Sequence, residues 1–144
     1  MVVCTFIGHR ECPETIKTKL RDTLIELIEN RAVDLFYVGN QGYFDRYVRR
    51  VLRDLKQQYP HIQYAVVLAY MPGKKTEYDD YSDTMLPEGI ESVHPHYAIS
   101  WRNNWMLQQS EYVVTYITHT WGGAAQYAAK AKTQRKIILK LGNL

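Results

Sequence analysis

Three times along this chain a short apolar run rich in β-branched residues ends at a glycine turn, and a helical pattern follows. The runs are Val2-Val3-Cys4-Thr5-Phe6-Ile7 before Gly8-His9-Arg10, Leu35-Phe36-Tyr37-Val38 before Gly39-Asn40-Gln41-Gly42, and Val113-Val114-Thr115-Tyr116-Ile117 leading to Trp121-Gly122-Gly123. Parallel strands need a crossover long enough to hold a helix, so this alternation dictates a parallel sheet. Glycine lets backbone approach a ligand closely, and a helix N-terminus offers unpartnered N–H groups with partial positive charge. Ligands of such sheets bind beyond the carboxyl ends of the strands, where all three turns fall.

The rest of the pattern agrees. Ile16, Leu20, Leu24, Leu27 and Ile28 recur at helical spacing after Pro13. Phe44, Tyr47, Val48, Val51, Leu52 and Leu55 mark a second helix over residues 43–57, and residues 62–69 read as a third, fully buried strand. Residues 97–109 read as helix, 111–117 as strand, 123–133 as helix and 136–141 as a closing strand. The class is α/β, with a mainly parallel sheet of about five strands in a single domain over residues 1–144. Residues 70–95 break the pattern with Pro72, Pro87, Pro95 and the acids Asp79, Asp80 and Asp83, and are expected to form a long loop serving as a lid or as a plain surface excursion.

Composition narrows the partners. The net charge is +3, and the basic residues are dispersed apart from Arg46, Arg49, Arg50, Arg53 and Lys56, which fit the solvated face of a helix. A nucleic-acid partner is therefore not expected. The two cysteines form no framework, no apolar stretch is long enough to cross a membrane, and the chain enters a strand at once without a signal-peptide layout, so a reducing cytoplasm is expected. His94 and His96 flank Pro95 but fall short of a zinc ligand set, so no metal and no resident cofactor are expected.

Each candidate site residue has a plainer alternative. Gly8, His9 and Arg10 can clear and face a phosphate, or form an ordinary turn with a solvated arginine. Gly39, Asn40 and Gly42 open a helix as an anion cradle does, and Asp45 in its first turn can cap N–H groups or accept from sugar hydroxyls. Trp121, Gly122 and Gly123, with Thr118 and His119 nearby, offer a stacking face and open backbone, or close helix–sheet packing through small residues. Arg102, next to Asn103 in an apolar helix, needs an anionic partner if buried, and a phosphate or carboxylate in the site would supply one.

The combination of Gly39-x-x-Gly42-Tyr43-Phe44-Asp45, Trp101-Arg102-Asn103-Asn104-Trp105-Met106 with Ser110, and Gly122-Gly123 before a helix resembles the SLOG superfamily of Rossmann-like nucleotide-binding proteins, and within it the small YpsA-like branch. The resemblance runs over nearly the whole chain and implies a Rossmann-like three-layer fold. It implies that Gly8, Arg10, Gly39, Gly42, Asp45, Arg102, Asn103, Gly122 and Gly123 line a ligand site. The superfamily includes LOG-type phosphoribohydrolases, which cleave the N-glycosidic bond of nucleoside monophosphates, and domains that bind nucleotide-derived signals of the ADP-ribose kind. Those hydrolases carry proline-glycine-glycine, then glycine, threonine and a catalytic glutamate. Here Trp121 stands for the proline, and no acid follows before Lys130. A glycosidase needs a carboxylate, and Asp45, Glu111 and the loop acids Asp79, Asp80 and Asp83 are the candidates, Asp45 first among them. The expectation is a nucleotide or nucleotide-signal binder, with a nucleoside 5'-monophosphate N-glycosidase as the alternative. LOG-type relatives are dimers, which makes a homo-oligomer an expectation too.

Overall fold

The computed structural model describes residues 1–71 and 82–144. In chain order the elements are β1 (Val2–Gly8), α1 (Ile16–Asn30), β2 (Val33–Val38), α2 (Gly42–Gln58), β3 (Gln63–Val67), β4 (Thr84–Met85), α3 (Ala98–Gln109), β5 (Tyr112–Tyr116), α4 (Gly123–Thr133) and β6 (Ile137–Lys140). The sheet has six strands rather than about five, in the order β4-β3-β2-β1-β5-β6, and all five pairings are parallel.

The additional strand, β4, lies inside the stretch expected to be irregular. Its two residues pair with the end of β3, Val66 opposite Thr84 and Val67 opposite Met85. Two short 3-10 turns, Ile90–Ser92 and Pro95–Tyr97, follow it. The expected lid core, residues 72–81, lies outside the described residues.

Alternation along the strands distributes side chains between two helical layers. Cys4 and Phe6 of β1 and Val114 of β5 face a cluster with Leu20, Leu24 and Leu27 of α1 and Phe44, Val48 and Leu52 of α2. On the opposite face Val113 of β5 meets Leu107 of α3 and Ala131 of α4, with Ile7 and Ile138 beside them. The period of two in a strand is what assigns neighbours such as Val113 and Val114 to different layers. The result is a three-layer α/β sandwich. Helix α1 begins at Ile16 rather than at Pro13, because Pro13 and Glu14 form a preceding turn that accepts from the Ile16 and Lys17 amides.

A buried ion pair anchors the outer edge. Asp83, just before β4, accepts from Arg49 Nε at 2.8 Å and Nη2 at 2.5 Å, and from the Tyr64 hydroxyl at 3.2 Å. Both partners are largely buried, so the two-pronged geometry offsets much of their lost hydration.

Candidate functional site

The strand order places β1 and β5 side by side. The chain leaves β1 through α1 on one face and leaves β5 through α4 on the other, which opens a crevice at their carboxyl ends. A cavity of about 630 Å³ sits there. Its walls include Gly8, His9, Arg10, Glu11, Gln41, Asp45, Arg102, Asn103, Thr118, His119, Trp121, Gly122 and Gly123, over a floor that includes Ile7, Met106 and Leu107.

The three glycine turns do different work. A Cβ on Gly8 would run into the Phe44 ring, so this glycine lets α2 close against β1. Gly42 has φ +83°, and a Cβ there would lie 2.5 Å from Arg10 Cα. Two amides of the second turn are already engaged: Tyr43 N–H donates to the Arg10 carbonyl at 2.8 Å, and Gln41 N–H to Asp45 Oδ2 at 2.9 Å. The N-terminus of α2 is thus partly satisfied by its own chain. Gly39, Asn40 and Gly42 stand behind the wall rather than on it, and Gln41 is the residue of this turn that lines the cavity.

The third turn is open. Gly122 has φ 93° and ψ 172°, and a Cβ at Gly122 or Gly123 would meet nothing within 4 Å. No side chain caps α4, and its first turn carries no acid. The Gly123, Ala124 and Ala125 amides begin an eleven-residue helix whose first intrahelical bond runs from Gln126 N–H to the Gly122 carbonyl. Those leading N–H groups have no backbone acceptor of their own, and Gly123 and Ala124 border the cavity.

Asp45 and Arg102 meet around Gly39. A Cβ on Gly39 would be 2.8 Å from Asp45 Oδ2 and 3.3 Å from Arg102 Nη1. Burial pushes the Asp45 carboxyl from its ordinary 3.8 up to about 6, against the pull of the Gln41 N–H and the Arg102 charge. The side chain borders the cavity, yet its carboxylate is surrounded by protein atoms, so desolvation wins. Arg102 is only 1% exposed. Neutral oxygens hold it: Nη1 donates to Asn40 Oδ1 at 3.0 Å and to the Val67 carbonyl at 2.8 Å, and Nε donates to Asn103 Oδ1 at 2.8 Å. Where an anionic partner was expected for a buried arginine, three of its hydrogen bonds go to neutral oxygens of the protein itself, with the Asp45 carboxyl close by. Arg10, by contrast, is exposed at the cavity mouth.

The far wall is a stack of rings. His9 lies on His119 with centroids 3.7 Å apart, and His119 on Trp121 at 3.9 Å. His9 is 7% exposed, while Trp121 at the outer end is 69% exposed. His9 Nε2 accepts from the Thr118 N–H at 3.0 Å and the His119 N–H at 3.4 Å. An acceptor Nε2 requires a neutral imidazole with its proton on Nδ1. Burial, and then the neighbouring His119, lower the His9 pKa in the same sense. Nδ1 of His119 is buried with no hydrogen-bond partner among the described residues.

Of the residues singled out in the sequence, Gly8, His9, Arg10, Asp45, Arg102, Asn103, Thr118, Trp121, Gly122 and Gly123 come together on one cavity. Glu11, Gln41 and the ring of His119 as a wall were not singled out. His119 was flanked by polar residues in the sequence, but its stacking partner His9 lies 110 positions away. Among the described residues no three His, Cys, Asp or Glu side chains group to hold a metal ion. No described helix is long and apolar enough to cross a membrane.

A doubly wound parallel sheet with an open helix N-terminus at its switch point defines a Rossmann-like fold. The family is narrower: a family model described as the YspA SLOG family, YpsA, matches residues 2–138, and the chain belongs to this family. No curated protein matches the chain.

Proposed function

We propose that the protein binds a nucleotide or a nucleotide-derived signal of the ADP-ribose kind in the β1–β5 cavity. The observation that carries this reading is the uncapped N-terminus of α4, where Gly122 and Gly123 face empty space beside the exposed Trp121 ring. A phosphate accepts from the leading amides and gains from the helix dipole, Arg10 adds charge at the mouth, and a base stacks on the outer face of Trp121. Membership of a SLOG family supports the same class of ligand. The test is thermal unfolding against AMP, ADP, NAD, ADP-ribose and cyclic ADP-ribose. A ligand at 100 times its Kd adds about 2.7 kcal/mol of stability, and Gly123→Asp, which puts a carboxylate into the cradle, should abolish that gain. Absence of a shift with all five ligands overturns the reading.

One observation favours a second reading, N-glycosidic hydrolysis of a nucleoside monophosphate. The Asp45 carboxyl, with a pKa pushed up to about 6, is tuned for proton transfer near neutrality and borders the same cavity. Chromatographic release of free base from AMP, lost in Asp45→Asn, supports hydrolysis. Binding without turnover leaves the protein a binder.

A further inference from the structure

We propose that His9 is a positioning residue that holds the wall formed by residues 118–121, and with it the Trp121 ring, only while its imidazole is neutral. The proposal deepens the ligand-site reading and rests on it only where affinity is concerned.

The geometry leaves His9 Nε2 a single role. It is the acceptor for two successive amides, Thr118 N–H and His119 N–H. In the described residues neither amide has another acceptor. His9 is itself tied to the sheet, since its N–H donates to the Tyr116 carbonyl at 3.2 Å. A fixed ring thus props a loop that carries no regular structure of its own. The stacking of His9 on His119, and of His119 on Trp121, extends that support to the exposed end.

Protonation at Nε2 turns the acceptor into a donor facing two donors. Both loop bonds are lost, and two part-buried amides are left without their acceptor. The groups facing His9 do not compensate. His119 stacks on it, and a charge on either ring opposes a charge on the other. Tyr116 lies edge-on at 6.2 Å. Arg10, Glu11, Asp45 and Arg102 share the cavity, and Asp45 loses its negative charge over the same acidic range.

This yields a signature that simple electrostatics does not. On acidification the cavity becomes more positive, because His9 gains charge and Asp45 loses it. An anion whose own charge is constant over this range, such as the pyrophosphate of ADP-ribose, would then bind more tightly if charge alone governed. With His9 as the prop, ADP-ribose affinity instead falls between pH 7.5 and pH 5.

The test uses the full chain with 15N labelling. Long-range imidazole spectra at pH 7.5 should show the His9 ring protonated on Nδ1 alone. Protection factors of the Thr118 and His119 amides, referred to intrinsic exchange at each pH, should fall by up to about tenfold per pH unit as pH drops from the ordinary imidazole value of 6.5 toward the lowered His9 value. His9→Gln presents an acceptor that does not titrate, and it should keep both amides protected at pH 5. His9→Leu removes the acceptor and should expose them at every pH. If His9→Leu fails to fold, the wild-type titration and His9→Gln still decide. ADP-ribose affinity of the wild type should drop from pH 7.5 to pH 5, and that of His9→Gln should hold or rise. An Nε2–H tautomer at pH 7.5, or Thr118 and His119 amides indifferent to the His9 titration, overturns the proposal. No binding of any of the five ligands at any pH overturns the ligand reading instead, and the amide measurements then judge the prop by themselves.

Discussion

Replacing Asp45 with asparagine should stabilise the protein, and by an amount that grows with pH. The two side chains have the same shape, and asparagine Oδ1 can still accept from the Gln41 N–H that Asp45 Oδ2 now holds. What changes is the charge. A carboxyl whose folded-state pKa is raised binds its proton more tightly in the folded chain than in the unfolded one. Its effect on stability is therefore absent below the ordinary value of 3.8, grows as a penalty while pH rises to about 6, and stays constant above that. A rise from 3.8 to about 6 corresponds to about 3 kcal/mol. In a chain of 144 residues each kcal/mol moves Tm by roughly 3 °C. Urea unfolding of wild type and Asp45→Asn, in parallel at pH 4 and pH 7.5, isolates the charge, because pH-independent packing costs cancel in the difference. The asparagine variant should gain most of that 3 kcal/mol on the wild type between the two pH values. A gap that stays level or narrows would refute the account of a desolvated carboxylate. A confirmed gain would mean that the site retains a charge at the expense of the fold, as functional sites commonly do.

The glycines give a second set of outcomes. Gly122→Ala should cost about 1–3 kcal/mol for its backbone conformation alone, whereas Gly42→Ala adds a clash with Arg10 backbone and should cost more, read by chemical denaturation. Gly8→Ala should destabilise by about 1–3 kcal/mol through collision with the Phe44 ring. Phe44→Leu in the same chain should recover part of that loss, seen as a favourable coupling in a double-mutant cycle. Arg49→Met leaves the Asp83 carboxylate buried without its two-pronged partner and should cost about 3–5 kcal/mol, with wild-type-like stability as the contrary result.

What the sequence disclosed and what it hid follow the range of the interactions involved. Strand, turn and helix were legible because their signals are local: β-branched runs in residues 2–7 and 113–117, a glycine, then apolar spacing. Strand β4 was not, since Thr84 and Met85 carry no apolar run and owe their extended form to pairing with Val66 and Val67. Arg102 stood out as an anomaly, but the oxygens that settle it come from Asn40 and Val67, 62 and 35 positions away. The same applies to Gly39. Its motif suggested an anion cradle, yet the space it vacates is filled by Asp45 and Arg102. Glycine spacing announces a close approach and is silent about which group approaches.

Helix α4 is the least anchored of the four described α-helices, with Ala131 as its single fully buried residue. Eleven residues are too few for a stable helix in water without tertiary support, and this one begins with no side chain closing its first turn. An anion seated there acts as the missing cap. Some of its binding free energy then appears as helix order rather than as contact strength. Affinity at this site and the rate at which α4 amides exchange with solvent become two measurements of one equilibrium, so a mutation far down the helix, such as Ala131→Gly, can weaken a ligand it never touches.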